Sequence, residues 1–283
     1  MRNVFRFQTK GSRRKLGEAV RANEERRRRA REIDARNLRP AKATTFLPLA
    51  IGISGGVALA TVAFWFFKRQ AEEVVSGTAD HYDTGLLELA TSAKSPRMDL
   101  VMRSATALGS HTAISVAAGA TALMMLRRKR PHDAWTVLIS TGGAMVLNTA
   151  LKAIFQRQRP QERFRLIKLP KSHSFPSGHS LLSAATYPIV MHHVVERLPP
   201  RAQVLALGAT AVVIFSVGYS RVYFAVHFPS DVLAGFAAGM GWLGLTSLSH
   251  TVMDRDLSAR QRRRIRVIEA GAADEDGTEA RGV

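Results

Sequence analysis

Ser220 to Asp231 reads SRVYFAVHFPSD and lies between two apolar runs, 203–219 and 232–249. Charged side chains at the ends of membrane-length segments cost free energy unless they face partners, cavity water or a ligand. His227 and Asp231 are four apart and share a face where a helix covers both. Pro229 fits only near a helix start, where its missing N–H is not needed. The stretch therefore predicts a helix that begins over Phe228–Ser230, with His227 at its lip and Asp231 in its first turn. An aspartate so placed can orient the imidazole and stabilise its cation. Arg221 can offer a planar fork of donors to a phosphoryl oxygen. Taken alone, the stretch is described equally well as a hydrated interhelical loop with incidental polar residues.

The chain of 283 residues carries a formal charge of +19 and no cysteine, which removes disulfide frameworks and thiolate chemistry. Its mean hydropathy of -0.04 averages two unlike populations. Residues 1–43 and 254–283 are charged, and the runs between them approach the length that crosses a bilayer. The polar N-terminal stretch does not resemble a secretory signal.

This pattern predicts an all-α fold, a six-transmembrane-helix bundle over 44–250. The expected spans are Thr44–Phe67, Asp99–Leu126, Ala134–Phe155, His179–Val195, Val204–Tyr219 and Val232–Ser249. A short extracytoplasmic interfacial helix is expected within 70–97, around GLLELA. Gly52 and Gly56, and Gly235, Gly239, Gly241 and Gly244, suit close helix approach. His111, inside the second expected span, is read as a hydrogen-bonded packing residue.

Residues 1–43 read as a basic cytoplasmic tail and 251–283 as a charged, largely disordered one. The tails, Arg127–Arg130 and the 196–201 turn then share the cytoplasmic side. Arg26–Arg29 suit anionic headgroups. No aromatic interleaving supports a nucleic-acid partner. Span parity brings 152–179 and 220–231 together on the opposite, extracytoplasmic face. The loop 156–175 breaks the positive-inside pattern with Arg157, Arg159, Arg163, Arg165, Lys168 and Lys171, so its charges want a ligand.

Two further motifs fall on that face. In KAIFQRQRP, Lys152 and Arg159 are seven apart and share a helix face if the helix runs to Pro160. In PSGH (176–179), Ser177 suits a helix N-cap, and the free N–H groups of Gly178 and His179 form an anion seat aided by the helix dipole. Lys152, Arg159 and Arg221, with Ser177 and the backbone donors, make a shell for a phosphate dianion. His227, oriented by Asp231, can attack phosphorus. His179 can protonate the leaving alkoxide and then activate water.

The ordered set KxxxxxxRP, PSGH and SRxxxxxHxxxD resembles the signature of the type 2 phosphatidic acid phosphatase and vanadium haloperoxidase superfamily. The resemblance covers about 45–249. It implies a six-helix bundle, a phosphohistidine route and no metal or other cofactor. It also implies that His227, Asp231 and His179 are nucleophile, partner and acid, and that Lys152, Arg159, Ser177, Gly178 and Arg221 bind phosphate. The expected activity is hydrolysis of a lipid phosphate: phosphatidate, phosphatidylglycerophosphate or a polyprenyl diphosphate. The alternative is a membrane protein that binds or translocates such a lipid without hydrolysis. A tail-mediated docking role and a His227/Asp231 metal site are weaker readings, the latter because cationic neighbours repel a metal.

Overall fold

The computed structural model describes Arg21 and residues 46–92, 94–160 and 172–248. Its helices are α1 (Phe46–Val75), α2 (Asp80–Ser92), α3 (Pro96–Leu108), α4 (His111–Arg127), α5 (Pro131–Phe155), α6 (Gly178–Val195), α7 (Pro200–Tyr223) and α8 (Pro229–Leu248). No strand occurs among the described residues, so the fold is all-α. The two tails, apart from Arg21, lie outside the described residues, as do Arg163, Arg165, Lys168 and Lys171 of the basic loop.

Local chemistry sets the helix ends. The Ser95 hydroxyl accepts from the Met98 N–H at 3.2 Å and opens α3. Ser110 does the same for Ala113 at 3.2 Å and opens α4. Each satisfies a donor that the first turn leaves orphaned. Prolines open α5, α7 and α8, where a missing N–H costs nothing. α1 runs past the uncharged stretch to Val75, supported by Lys68–Glu72 at 2.8 Å and Arg69–Glu73 at 3.2 Å.

Among the described residues, α5, α7 and α8 are long and apolar enough to cross a membrane. A fourth span arises if α3 and α4 are taken as one element bent by 51°. The expected second span, Asp99–Leu126, is therefore broken in two. Ser110 caps a new helix there. Gly109 is pressed so tightly that a Cβ would lie 2.9 Å from His179 Cδ2 and nearer still to Val217. α7 also runs further than expected, so Ser220 and Arg221 sit in its last turn.

Large apolar side chains face outward, among them Phe64, Trp65, Trp135, Val146, Leu205 and Phe215. The interior holds small and polar residues such as Ser140, Thr141, Asn148, Ser183 and Thr186. An apolar skin over a small-residue interior is what a lipid solvent selects. The protein is a membrane protein.

α8 is the axis of the packing. At Gly235 a Cβ would lie 2.6 Å from Ser177 O, and at Gly244 it would lie 2.8 Å from Gly56 O. At Gly239 it would meet Ala184 Cβ at 2.9 Å and the Leu181 carbonyl more closely. These contacts press α8 against α6 on one side and α1 on the other. Gly241 is looser, with Ala63 Cβ 3.5 Å from the corresponding point. Gly239→Ala is therefore expected to cost about 1–3 kcal/mol by overpacking. Gly241→Ala should stay within about 0.5 kcal/mol. Melting curves of the two variants in one detergent check the contrast.

Candidate active site

His227 is held by the turn that joins α7 to α8. The Arg221 carbonyl accepts from the N–H groups of Val226 at 3.1 Å and His227 at 3.3 Å. Ala225 takes φ 50, the left-handed region, at a cost of about 1–2 kcal/mol. α8 then starts as expected. Asp231 Oδ2 reaches back to accept from the Phe228 N–H at 2.9 Å, half of a capping box.

The same oxygen lies 3.4 Å from His227 Nδ1 and accepts from the Ser174 hydroxyl. Arg159 Nη1 lies 3.2 Å from His227 Nε2. A guanidinium has donors only, so Nε2 is the acceptor and the ring proton sits on Nδ1, facing Asp231. The imidazole is 2 % exposed. Burial pushes its pKa below the ordinary value, Asp231 opposes that shift, and Arg159 and Arg221 reinforce it.

Around this ring stand the expected cations. Arg159 donates to Val226 O at 2.6 Å and to Ser172 O at 2.8 Å. Lys152 donates to His173 O. Arg221 is 4 % exposed and donates to Thr106 Oγ1 at 2.5 Å. Its Nε is buried and has no hydrogen-bond partner, leaving an unused donor beside the histidine. The Ser177 N–H donates to the Asp231 carbonyl at 2.9 Å, which pins the start of α6 to α8. His179, in the first turn of α6, is close enough to feel the charges of Arg221, His227, His111 and Arg159. The structure thus gathers the expected residues at one end of the bundle.

Three local expectations are corrected. α5 ends at Phe155, where Gln156 turns left-handed at φ 46, so Lys152 and Arg159 do not share a helix face. Arg159 reaches His227 from a non-helical segment, and Pro160 lies beyond the helix end. Ser177 occupies the N-cap position of α6 but makes no side-chain cap bond. Its hydroxyl instead accepts from Ser180 at 2.9 Å. His111 is exposed at the first residue of α4 and is not a packing residue.

The sequence reading missed Ser174, Thr106 and Asp83, and counted Arg157 only as loop charge. Arg157 donates to Asp231 Oδ1 at 2.8 Å and to Asp83 Oδ2 at 2.8 Å. The one group of metal-ligand type among the described residues, His192, His193 and Glu196, lies at the far end of α6. There the Glu196 carboxylate is taken by Arg130. Between α1, α5 and α8 runs an apolar groove of about 530 Å³, lined by Phe67, Leu151 and Trp242 among others.

A family model described as the PAP2 superfamily matches residues 133–253, a span that holds all the residues above from Lys152 to Asp231. Phosphatidylglycerophosphatase B of Bacillus subtilis is 30% identical over 179 residues, 62% of this chain and 87% of that protein. An undecaprenyl-diphosphatase of Sulfolobus acidocaldarius is 31% identical over 132 residues, 45% of this chain and 60% of that one. The crystal structure of a transmembrane PAP2-type phosphatidylglycerolphosphate phosphatase from Bacillus subtilis superposes with a TM-score of 0.59 at 30% identity. That match covers 66% of this chain and 93% of the other. The chain belongs to the PAP2 superfamily.

Proposed function

We propose that the protein is an integral membrane lipid phosphate phosphatase working through a phosphohistidine. The observation that carries this reading is the state of His227. Its Nε2 lone pair faces the cationic cradle, and its Nδ1 proton faces Asp231. Binding a lipid needs no such pair; attack on phosphorus does. Nε2 displaces the lipid alkoxide, and His179 gives that alkoxide its proton. Water then attacks the phosphoryl group with His179 as base. Inorganic phosphate leaves and Nε2 is regenerated. Lys152, Arg159, Arg221, Ser177 and the Gly178 N–H hold the charge on the transferring oxygens.

Phosphatidylglycerophosphate is the first substrate to try, since that is what the Bacillus relatives are named for. Undecaprenyl diphosphate is the second. The apolar groove lined by Phe67, Leu151 and Trp242 offers room for a lipid tail. With α1, the α3–α4 pair, α5, α6, α7 and α8 counted as six spans, both termini share one side, and the basic tails favour the cytoplasm for it. The site then faces the extracytoplasmic side, with α2 lying along that surface. Residues 44–250 form the catalytic unit between two charged tails.

The test is phosphate release from both lipids by detergent-purified protein. Orthovanadate should inhibit and EDTA should not. No release from either lipid, or a strict metal requirement, would sink the reading. The pH profile adds a check. His227 attacks only when neutral, and burial holds its pKa below the usual ~6.5. Activity should therefore persist as pH falls through 6.5, by about that reference value, and the acid limb of kcat/KM should lie lower. A limb at or above the ordinary imidazole value would contradict the burial seen here.

A further inference from the structure

Arg157 stands among the cations of the site but spends its donors on protein groups. Its side chain is 12% exposed. Nη1 donates to Asp231 Oδ1 at 2.8 Å and to Ser230 Oγ at 2.7 Å. Nη2 donates to Asp83 Oδ2 at 2.8 Å and to Asp80 Oδ1 at 3.2 Å. Its guanidinium carbon lies 4.4 Å from the centroid of the Phe228 ring, a cation–π contact. Asp83, on α2, is fully buried and accepts from the Ser230 N–H at 2.9 Å and from the Ser230 hydroxyl at 2.5 Å. One helix that carries no phosphate-shell residue is thereby tied to the first turn of α8.

We propose that Arg157 is a positioning residue for His227, acting through Asp231 and itself held by Asp83 of α2. The proposal rests on His227 being the nucleophile. Asp231 is gripped at both oxygens: Oδ1 by Arg157 Nη1, Oδ2 by the Phe228 N–H and the Ser174 hydroxyl. That leaves the carboxylate one orientation, with Oδ2 toward Nδ1. The order Asp83, Arg157, Asp231, His227 alternates anion and cation up to the imidazole. Arg157 also balances part of the Asp231 charge, which limits how far the aspartate raises the basicity of the ring. Asp83 lies outside the residues matched by the family model, 133–253.

Arg157→Ala leaves Lys152, Arg159, Ser177 and Arg221 in place, so KM should hold. kcat should fall by about 10²-fold, the scale of a misplaced catalytic group. The titration of His227 should move as well. The charged and titratable groups that act on it are Asp231 from α8, Arg159 from the segment after α5, Arg221 from α7 and His179 from α6. With those unchanged, losing the cation on Asp231 should raise the His227 pKa. Arg157→Lys keeps the charge without the fork, so it should restore the titration and only part of kcat. Asp83→Asn keeps the shape of α2 and should lower kcat in the same direction. It carries the test if Arg157→Ala does not fold.

The experiment compares kcat, KM and the His227 ring titration, followed by NMR of histidine-labelled protein in detergent. The variants are those three and His227→Ala. A fall in kcat at constant KM, with an upward titration shift reversed by lysine, establishes the proposal. A rise in KM without a titration shift would make Arg157 a phosphate ligand and overturn it. Wild-type kcat in Arg157→Ala or Asp83→Asn also overturns it. If His227→Ala remains active, the phosphohistidine reading fails, and the ring titration still decides whether Arg157 sets the state of His227.

Discussion

His227→Ala should abolish turnover, with kcat falling by about 10⁴–10⁶-fold, the scale seen when a covalent nucleophile is removed. Truncation removes the Nε2 lone pair, and His179 is committed to the leaving alkoxide in the proposed reaction. Arg159 and Arg221 have no lone pair to give, Lys152 is drawn off to His173 O, and Ser174 is turned to Asp231. The fold should survive, because Asp231 keeps Arg157, Ser174 and the Phe228 N–H as partners. Binding of inorganic phosphate to the variant should persist, since Lys152, Arg159 and Arg221, the cations proposed to hold it, are intact. The measurement is phosphate release against phosphate affinity on one preparation. Turnover within tenfold of the unsubstituted protein would remove His227 from the chemistry.

Arg221→Met should lower kcat by about 10²–10³-fold, the range for losing one preorganised donor to a developing charge. Arg221 is 4 % exposed, and its Nε has no partner. It spends one bond on Thr106 and is repelled by Arg159. A buried cation so placed does little for the resting fold. Methionine fills similar volume without a charge. The melting temperature should therefore hold or rise while activity falls, a trade typical of sites kept for function. Arg221→Lys should not restore kcat, because an ammonium cannot reproduce the planar fork. A large loss of stability with unchanged kcat would make Arg221 structural.

Asp83 and Arg157 show where sequence reading stops. They are 74 residues apart, and Arg157 is again 74 residues from Asp231. No periodicity links such positions, and an aspartate in a polar stretch reads as solvated. Gly109 is similar: nothing local says that a Cβ there would strike His179. The early end of α5 depends on Gln156 adopting a left-handed backbone, which a run of helix-compatible residues conceals.

What the sequence determined by itself was short-range or combinatorial. Pro229 and Asp231 fix the start of α8, because a missing N–H and a reaching carboxylate both belong to a helix's first turn. The order of the three motifs and the number of apolar runs between them place Lys152, His179 and His227 at one end, since each crossing reverses direction. Tertiary structure alone decided which cations face the imidazole and which hold the aspartate. Arg159 and Arg157 are two residues apart and chemically alike. Only the folded surroundings, a ring nitrogen for one and two buried carboxylates for the other, give them different work.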